Sequence, residues 1–163
     1  MTVTLTPFLW YTSEAEEAAA FYASVIPNSH VDRVTALPVD SPSGPAGSVK
    51  VVEFTLADRP VKAMTAGPHD PFNDAVSMLL TCDTQVELDR LWSALLQGGG
   101  KEVACGWLTD RFGLRWQICP QRMFGMMASP DRAAAARAST AMMGMVKLDL
   151  PALEAAFAGR SAA

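Results

Sequence analysis

Histidine is almost missing from this chain: His30 and His69 are the only two in 163 residues. Cysteine is nearly as scarce, and Cys82, Cys105 and Cys119 are odd in number, far apart and never in a C-x-x-C pair. That excludes a disulfide framework and points to free thiols in a reducing cytoplasm. No apolar run approaches the ~20 residues a spanning helix needs, so no membrane partner is expected. The opening stretch MTVTLTPFLWYTSEAEE has no basic segment followed by an apolar one, so no secretory signal is expected there. A dense Lys/Arg run is absent too, and the formal net charge is −4. Nothing in that balance attracts a phosphate backbone, and nucleic acid is not an expected partner.

What is present is apolar. Hydrophobic residues make up 50% of the chain, enough for one globular domain with a sizeable core. Val3 to Tyr11 alternates and then turns aromatic, which predicts a strand. Ser13 opens S-E-A-E, a capping box with Glu16, ahead of a helix carrying Ala15, Ala18, Ala19, Phe21, Tyr22 and Val25 and stopped by Pro27-Asn28. A strand follows over about His30 to Leu37. The stretch PVDSPSGPAG, residues 38–47, is loop, because its prolines and glycines permit neither ladder nor helix. Ser48 to Leu56 and Val61 to Thr65 read as a hairpin about Ala57-Asp58-Arg59-Pro60.

The order then begins again. Ala75 to Cys82 is an apolar strand, and Thr84 opens T-Q-V-E, a second capping box with Glu87. The next helix carries Leu88, Leu91, Trp92, Leu95 and Leu96 and ends in Gly98-Gly99-Gly100. Short strands are predicted at Glu102 to Cys105, Trp107 to Thr109 and Leu114 to Cys119. Thr84 lies 71 positions after Ser13, and Leu91-Trp92 keeps nearly that offset from Phe21-Tyr22. An internal duplication of a strand–helix–strand–strand–strand unit accounts for this. The fold class is therefore α+β, with module one at about 1–67, module two at about 75–120 and a helical extension at about 121–163. In the extension, Pro130-Asp131 starts an Ala-rich helix through about Met143, and a last helix spans about Ala152 to Ala158, closed by Gly159. Six methionines between Met123 and Met145 give an adaptable apolar face, expected to pack within the fold or on a partner subunit.

Several stretches carry a family resemblance: Pro7-Phe8-Leu9-Trp10, Ile26-Pro27-Asn28-Ser29 after Phe21-Tyr22, and Phe72-Asn73-Asp74-Ala75-Val76-Ser77. Cys105-Gly106-Trp107-Leu108-Thr109-Asp110-Arg111-Phe112-Gly113, Trp116-Gln117-Ile118-Cys119-Pro120 and the tail Met142 to Asp149 extend it over nearly the whole chain. The chain resembles the vicinal oxygen chelate superfamily of glyoxalases, bleomycin-resistance proteins and dioxygenases, in its PhnB-like, demethylubiquinone 3-methyltransferase-like branch. The resemblance implies one glyoxalase-like domain over 1–163, two βαβββ modules forming a curved mixed sheet around a cup, and a homodimer. In metal-using relatives His or Glu ligands stand on the cup's strands. The corresponding positions here fall at about Pro7, at about Ser77 and at Gln117. Proline offers no side-chain ligand, and hydroxyl and amide oxygens bind divalent cations poorly. No metal and no cofactor are expected.

The remaining candidates follow from that picture. Ser77 and Gln117, with Trp10 and Trp107, would give a pocket of apolar walls and a few hydrogen-bonding groups, or a polar pair satisfied by itself. Glu53 interrupts an apolar strand and is either a base facing the cup or an outward carboxylate. His69, in Gly67-Pro68-His69-Asp70-Pro71, is either an acid–base group oriented by Asp70 or an ordinary exposed loop histidine, the commoner case. The cysteines read as inert buried thiols. A Rossmann-like methyl-donor site needs strand, Gly-rich turn and helix in that order, whereas Gly98 to Gly100 closes a helix and precedes a strand. The expected function is binding of a small, partly apolar molecule by a metal-free glyoxalase fold. The alternatives are an enzyme of the same superfamily and a dimeric interaction module with a filled cup.

Overall fold

The computed structural model describes residues 2–160 and divides into two compact units, one ending at Pro71 and one beginning at Phe72. Each unit contains one βαβββ module and one four-stranded sheet, so the α+β duplication is present as two mixed sheets.

In the first unit β1 (Phe8–Tyr11) leads into α1 (Ala15–Val25), then β2 (His30–Ala36), β3 (Lys50–Leu56) and β4 (Arg59–Thr65). The sheet order is β1-β4-β3-β2, with β1 parallel to β4 and the other neighbours antiparallel. Alternation sets the two faces. Leu9, Tyr11, Val52, Phe54, Val61 and Ala63 are buried on the α1 side. Ala15, Ala18 and Ala19 have no exposed area and let the helix lie close on the sheet, with the Tyr11 and Tyr22 hydroxyls 3.2 Å apart beneath it. β3 turns into β4 through Ala57 and Asp58, both left-handed at φ 47° and 62°, the geometry a two-residue hairpin turn requires.

Two expectations need correction here. The strand predicted from Val3 forms only from Phe8, because the preceding residues are largely exposed and only the Pro7 carbonyl joins the sheet, accepting from Lys62 N–H at 3.0 Å. The capping box at Ser13 does not form. The α1 N-cap is Glu14, the Ala15 N–H donates to Thr65 Oγ1 on β4 at 3.2 Å, and Glu16 instead pairs with Lys50. A tertiary acceptor has taken the place of the local cap.

The second unit repeats the order with β5 (Met78–Cys82), α2 (Gln85–Leu95), β6 (Lys101–Glu102), β7 (Trp107–Thr109) and β8 (Arg115–Pro120), arranged β5-β8-β7-β6. Again the first strand runs parallel to the last. Thr84 caps α2 by accepting from Glu87 N–H at 3.2 Å, while the Glu87 carboxylate pairs with Arg90 rather than reaching back. Leu88, Leu91, Trp92 and Leu95 are buried on α2, and Leu108, Trp116 and Ile118 on the sheet. Each large apolar side chain so buried contributes roughly 1.5–3 kcal/mol.

The extension forms α3 (Gln121–Met127), α4 (Arg132–Met143) and α5 (Leu150–Phe157). Asp131 and Asp149 cap the last two helices by accepting from Ala134 and Ala152 N–H. Met123 and Met126 are buried in the fold, whereas Met143 is 69% exposed. The segment before α5 docks on the second sheet: the Cys105 and Gly106 N–H groups donate to Met145 and Val146 carbonyls, both at 2.8 Å. Gly106 is required there. Its φ is 84°, and a Cβ would lie 2.9 Å from Leu148 Cδ1 and 3.0 Å from the Ile118 carbonyl.

Candidate functional site

Register places the candidate residues on the sheet faces turned away from the helices. On the first sheet, Phe8 and Trp10 of β1 pair with Lys62 and Met64 of β4, which pair in turn with Glu53 and Val51 of β3. Arg33 of β2 stands opposite Glu53. Phe8 and Trp10 are 51% and 38% exposed. The Trp10 indole donates to the Gly67 carbonyl at 3.0 Å, and its ring centroid lies 6.4 Å from that of His69.

Glu53 lies on this face, but it is not a ready base. Its Oε1 is 2.6 Å from Lys62 Nζ, and its Oε2 accepts from Arg33 Nε at 2.7 Å and also pairs with the second Arg33 nitrogen. Lys62 first, then Arg33, holds this carboxyl below its usual range, so it stays ionised and accepts a proton weakly. His69 is exposed, and its Nδ1 sits 2.5 Å from the Asp70 carbonyl oxygen. On that ring nitrogen the contact comes from the Asp70 backbone.

On the second sheet one row across the strands reads Val103, Trp107, Gln117 and Leu79, and the next reads Lys101, Thr109 and Arg115. Ser77 precedes β5 and meets the first row: Gln117 Nε2 donates to Ser77 Oγ at 2.9 Å. That bond uses one amide N–H and one hydroxyl lone pair. It leaves the Ser77 O–H as a donor and the Gln117 carbonyl oxygen as an acceptor, neither with a partner among the described residues. Leu79 beside them is 48% exposed, and Trp107 is half-buried. In the second row, Arg115 donates to Asp74 Oδ1 at 2.6 Å and to Thr109 Oγ1. A groove of about 480 Å³ there includes Lys101, Thr109, Arg111 and Arg115, but neither Ser77 nor Gln117.

Asp110 is the polar residue that sequence reasoning passed over. It is 3% exposed and accepts from the Phe112 and Leu114 amides at 2.8 and 3.0 Å and from the Trp116 indole at 2.8 Å. The D-x-x-G spacing of Asp110 and Gly113 signals such a turn, and the turn fixes the start of β8 and hence Gln117.

The donors do not fit a divalent cation. The Pro7 carbonyl is committed to the sheet ladder, and the Ser77 and Gln117 side chains are neutral and bonded to each other. Among the described residues no group of three His, Cys, Asp or Glu side chains could hold a metal ion. Nor does the glycine turn suit a Rossmann-like methyl-donor site: Gly98 and Gly99 follow α2 and precede β6, so no helix N-terminus opens from them. Among the described residues no helix is long and apolar enough to cross a membrane.

Residues 3–119 match the family described as 3-demethylubiquinone-9 3-methyltransferase. Among solved structures, a PhnB protein from Bacillus cereus, described as a 3-demethylubiquinone-9 3-methyltransferase, is 28% identical, with a TM-score of 0.63 over 71% of this chain and 98% of its own. Protein PA1353 from Pseudomonas aeruginosa is 23% identical, with a TM-score of 0.55 over 73% and 98%. The fosfomycin resistance protein FosX from Mesorhizobium loti is 11% identical, with a TM-score of 0.56 over 79% and 99%. The last two share the fold. No curated protein matches the chain.

Proposed function

The chain belongs to the 3-demethylubiquinone-9 3-methyltransferase family of the vicinal oxygen chelate fold, and from that premise we propose that it binds a small, partly apolar molecule on the helix-free face of its second sheet, without a metal. The observation that carries this reading is the Ser77–Gln117 pair. It presents one donor and one acceptor side by side, between Leu79 and Trp107. An apolar body with a neighbouring hydroxyl and carbonyl, or with two neighbouring hydroxyls, complements that arrangement. A ring of the kind the family's description names, carrying adjacent oxygens, has this shape. Glu53 clamped by two cations favours binding over proton abstraction.

Catechol serves as the probe, with anisole as its counterpart lacking adjacent hydroxyls. In nuclear magnetic resonance titrations of the whole chain, catechol is expected to move the Gln117 side-chain amide and Trp107 indole signals more than anisole does. Gln117→Leu should remove the response while leaving circular dichroism unchanged. A wild-type protein in which neither signal moves at millimolar catechol would refute the proposal.

We also propose that the chain is a cytoplasmic homodimer. Its cysteines are free, as suits a reducing compartment. All seven residues of the edge strand β2 are exposed, including Val31 and Val34, and an edge of that kind is ordinarily covered. Light scattering behind size exclusion should give about twice the 17.4 kDa chain mass; a monomer at micromolar concentration would count against it.

A further inference from the structure

The family match ends at residue 119, before α3 begins. Beyond it, α4 and α5 enclose an open groove of about 540 Å³. Its polar lining consists of Arg137, Thr140 and Arg160, its apolar wall includes Ala136, Ala141 and Ala156, and among the described residues no carboxylate lines it. On a chain of net charge −4 that is a local reversal of sign.

Arg137 is held in place. Its Nε donates to the Ala156 carbonyl at 3.0 Å and one terminal nitrogen to the Phe157 carbonyl at 2.6 Å. Those carbonyls end α5 and would otherwise repel an anion; Arg137 neutralises them, and its other terminal nitrogen has no partner among the described residues. Thr140 stands one turn further along α4, where its hydroxyl reaches the same side. Arg160 donates through its backbone to the Ala155 carbonyl at 2.9 Å, and its guanidinium has no partner among the described residues. Two guanidinium groups and a hydroxyl against small apolar side chains are the chemistry that recognises a planar or tetrahedral oxyanion on a compact apolar body.

We propose that this groove is a second binding site, for a small molecule bearing a carboxylate or phosphate. It is independent of the Ser77–Gln117 face. Phenyl phosphate and benzoate are the probes, with phenol as the uncharged control, titrated into the intact chain while backbone amides of residues 136–141 and 156–160 are followed. At least one anion should shift those amides at millimolar concentration, phenol should not, and added salt should weaken the effect. A response to phenyl phosphate alone assigns a phosphate, and a response to benzoate alone a carboxylate. Arg160→Gln should weaken binding about tenfold, as loss of a charge-assisted hydrogen bond does. Because Arg137 also caps α5, Arg160→Gln carries the decision. Silence of these amides toward both anions, or an Arg160→Gln protein that binds as tightly as the wild type, would overturn the proposal.

Discussion

Gln85, the first residue of α2, accepts from the Leu150 amide at 2.7 Å, 65 positions away. The same side chain donates to the Leu148 carbonyl at 3.1 Å and to Asp89 at 2.9 Å. One amide group therefore ties the start of α5 to the second module. Gln85→Ala should strip the Leu148 and Leu150 backbone groups of their partner and cost about 2 kcal/mol. For a chain of this size that is a fall in Tm of roughly 4–8 °C. Hydrogen exchange should quicken first across 148–158, and calorimetry with exchange mass spectrometry checks both.

Asp110→Asn should cost more. Asp110 accepts three N–H bonds while 3% exposed, and an asparagine NH2 would face donors where an oxygen is needed. A loss of about 2–4 kcal/mol is expected for a charge-assisted cluster of this kind, read from urea unfolding. Since the turn sets the start of β8, catechol binding should weaken together with stability.

The duplication was legible because each module marks its own punctuation. Thr84 does cap α2, the glycines after Leu96 do end it, and alternation in Lys50–Leu56 does separate Val52 and Phe54 from Val51 and Glu53. What could not be read was tertiary. Ser13 looked like a cap, but Thr65 from a distant strand supplies the acceptor that Ala15 uses. Glu53 read equally as a base or an outward carboxylate, and Arg33 and Lys62 reach it only once β2 and β4 flank β3. The Arg137 groove needed two helices brought side by side, and nothing in the Ala-rich spacing of either announces it.

Glu53 gives a pH prediction. Its folded pKa is lowered by Lys62 and Arg33. The stabilisation is therefore present above the unfolded glutamate value, about 4.3, and is lost as pH falls through the folded value. Glu53→Gln should lower Tm at neutral pH and flatten its decline below about pH 5. Melting curves of both proteins across the acid range test this; parallel acid limbs would show that the two ion pairs contribute nothing to folding.

The thiols should separate by burial. Burial pushes Cys82 and Cys119 up to about 11, so at pH 8 the thiolate that attacks a disulfide reagent is nearly absent from both. Cys105 is half-buried. A disulfide reagent should therefore modify Cys105 first in the native protein and reach all three cysteines only in denaturant. Fast native reaction at Cys82 or Cys119, mapped by peptide mass, would contradict the packing around them.

The Ser77–Gln117 contact also predicts how little separates this face from a metal-binding one. Two side-chain ends already stand 2.9 Å apart, within about 0.7 Å of the roughly 3.3–3.6 Å that separates two ligands each lying about 2.0–2.2 Å from a tetrahedral zinc. The wild-type pair lacks charge and imidazole nitrogen, so equilibrium dialysis against zinc should recover no stoichiometric metal, and a chelator should leave Tm where it was. Ser77→His combined with Gln117→Glu replaces the donors at the residue before β5 and on β8. That double variant should gain weak zinc binding and a zinc-dependent rise in Tm. If the wild type retains zinc through dialysis, or the double variant gains none, the donor chemistry of this pair does not control metal binding here.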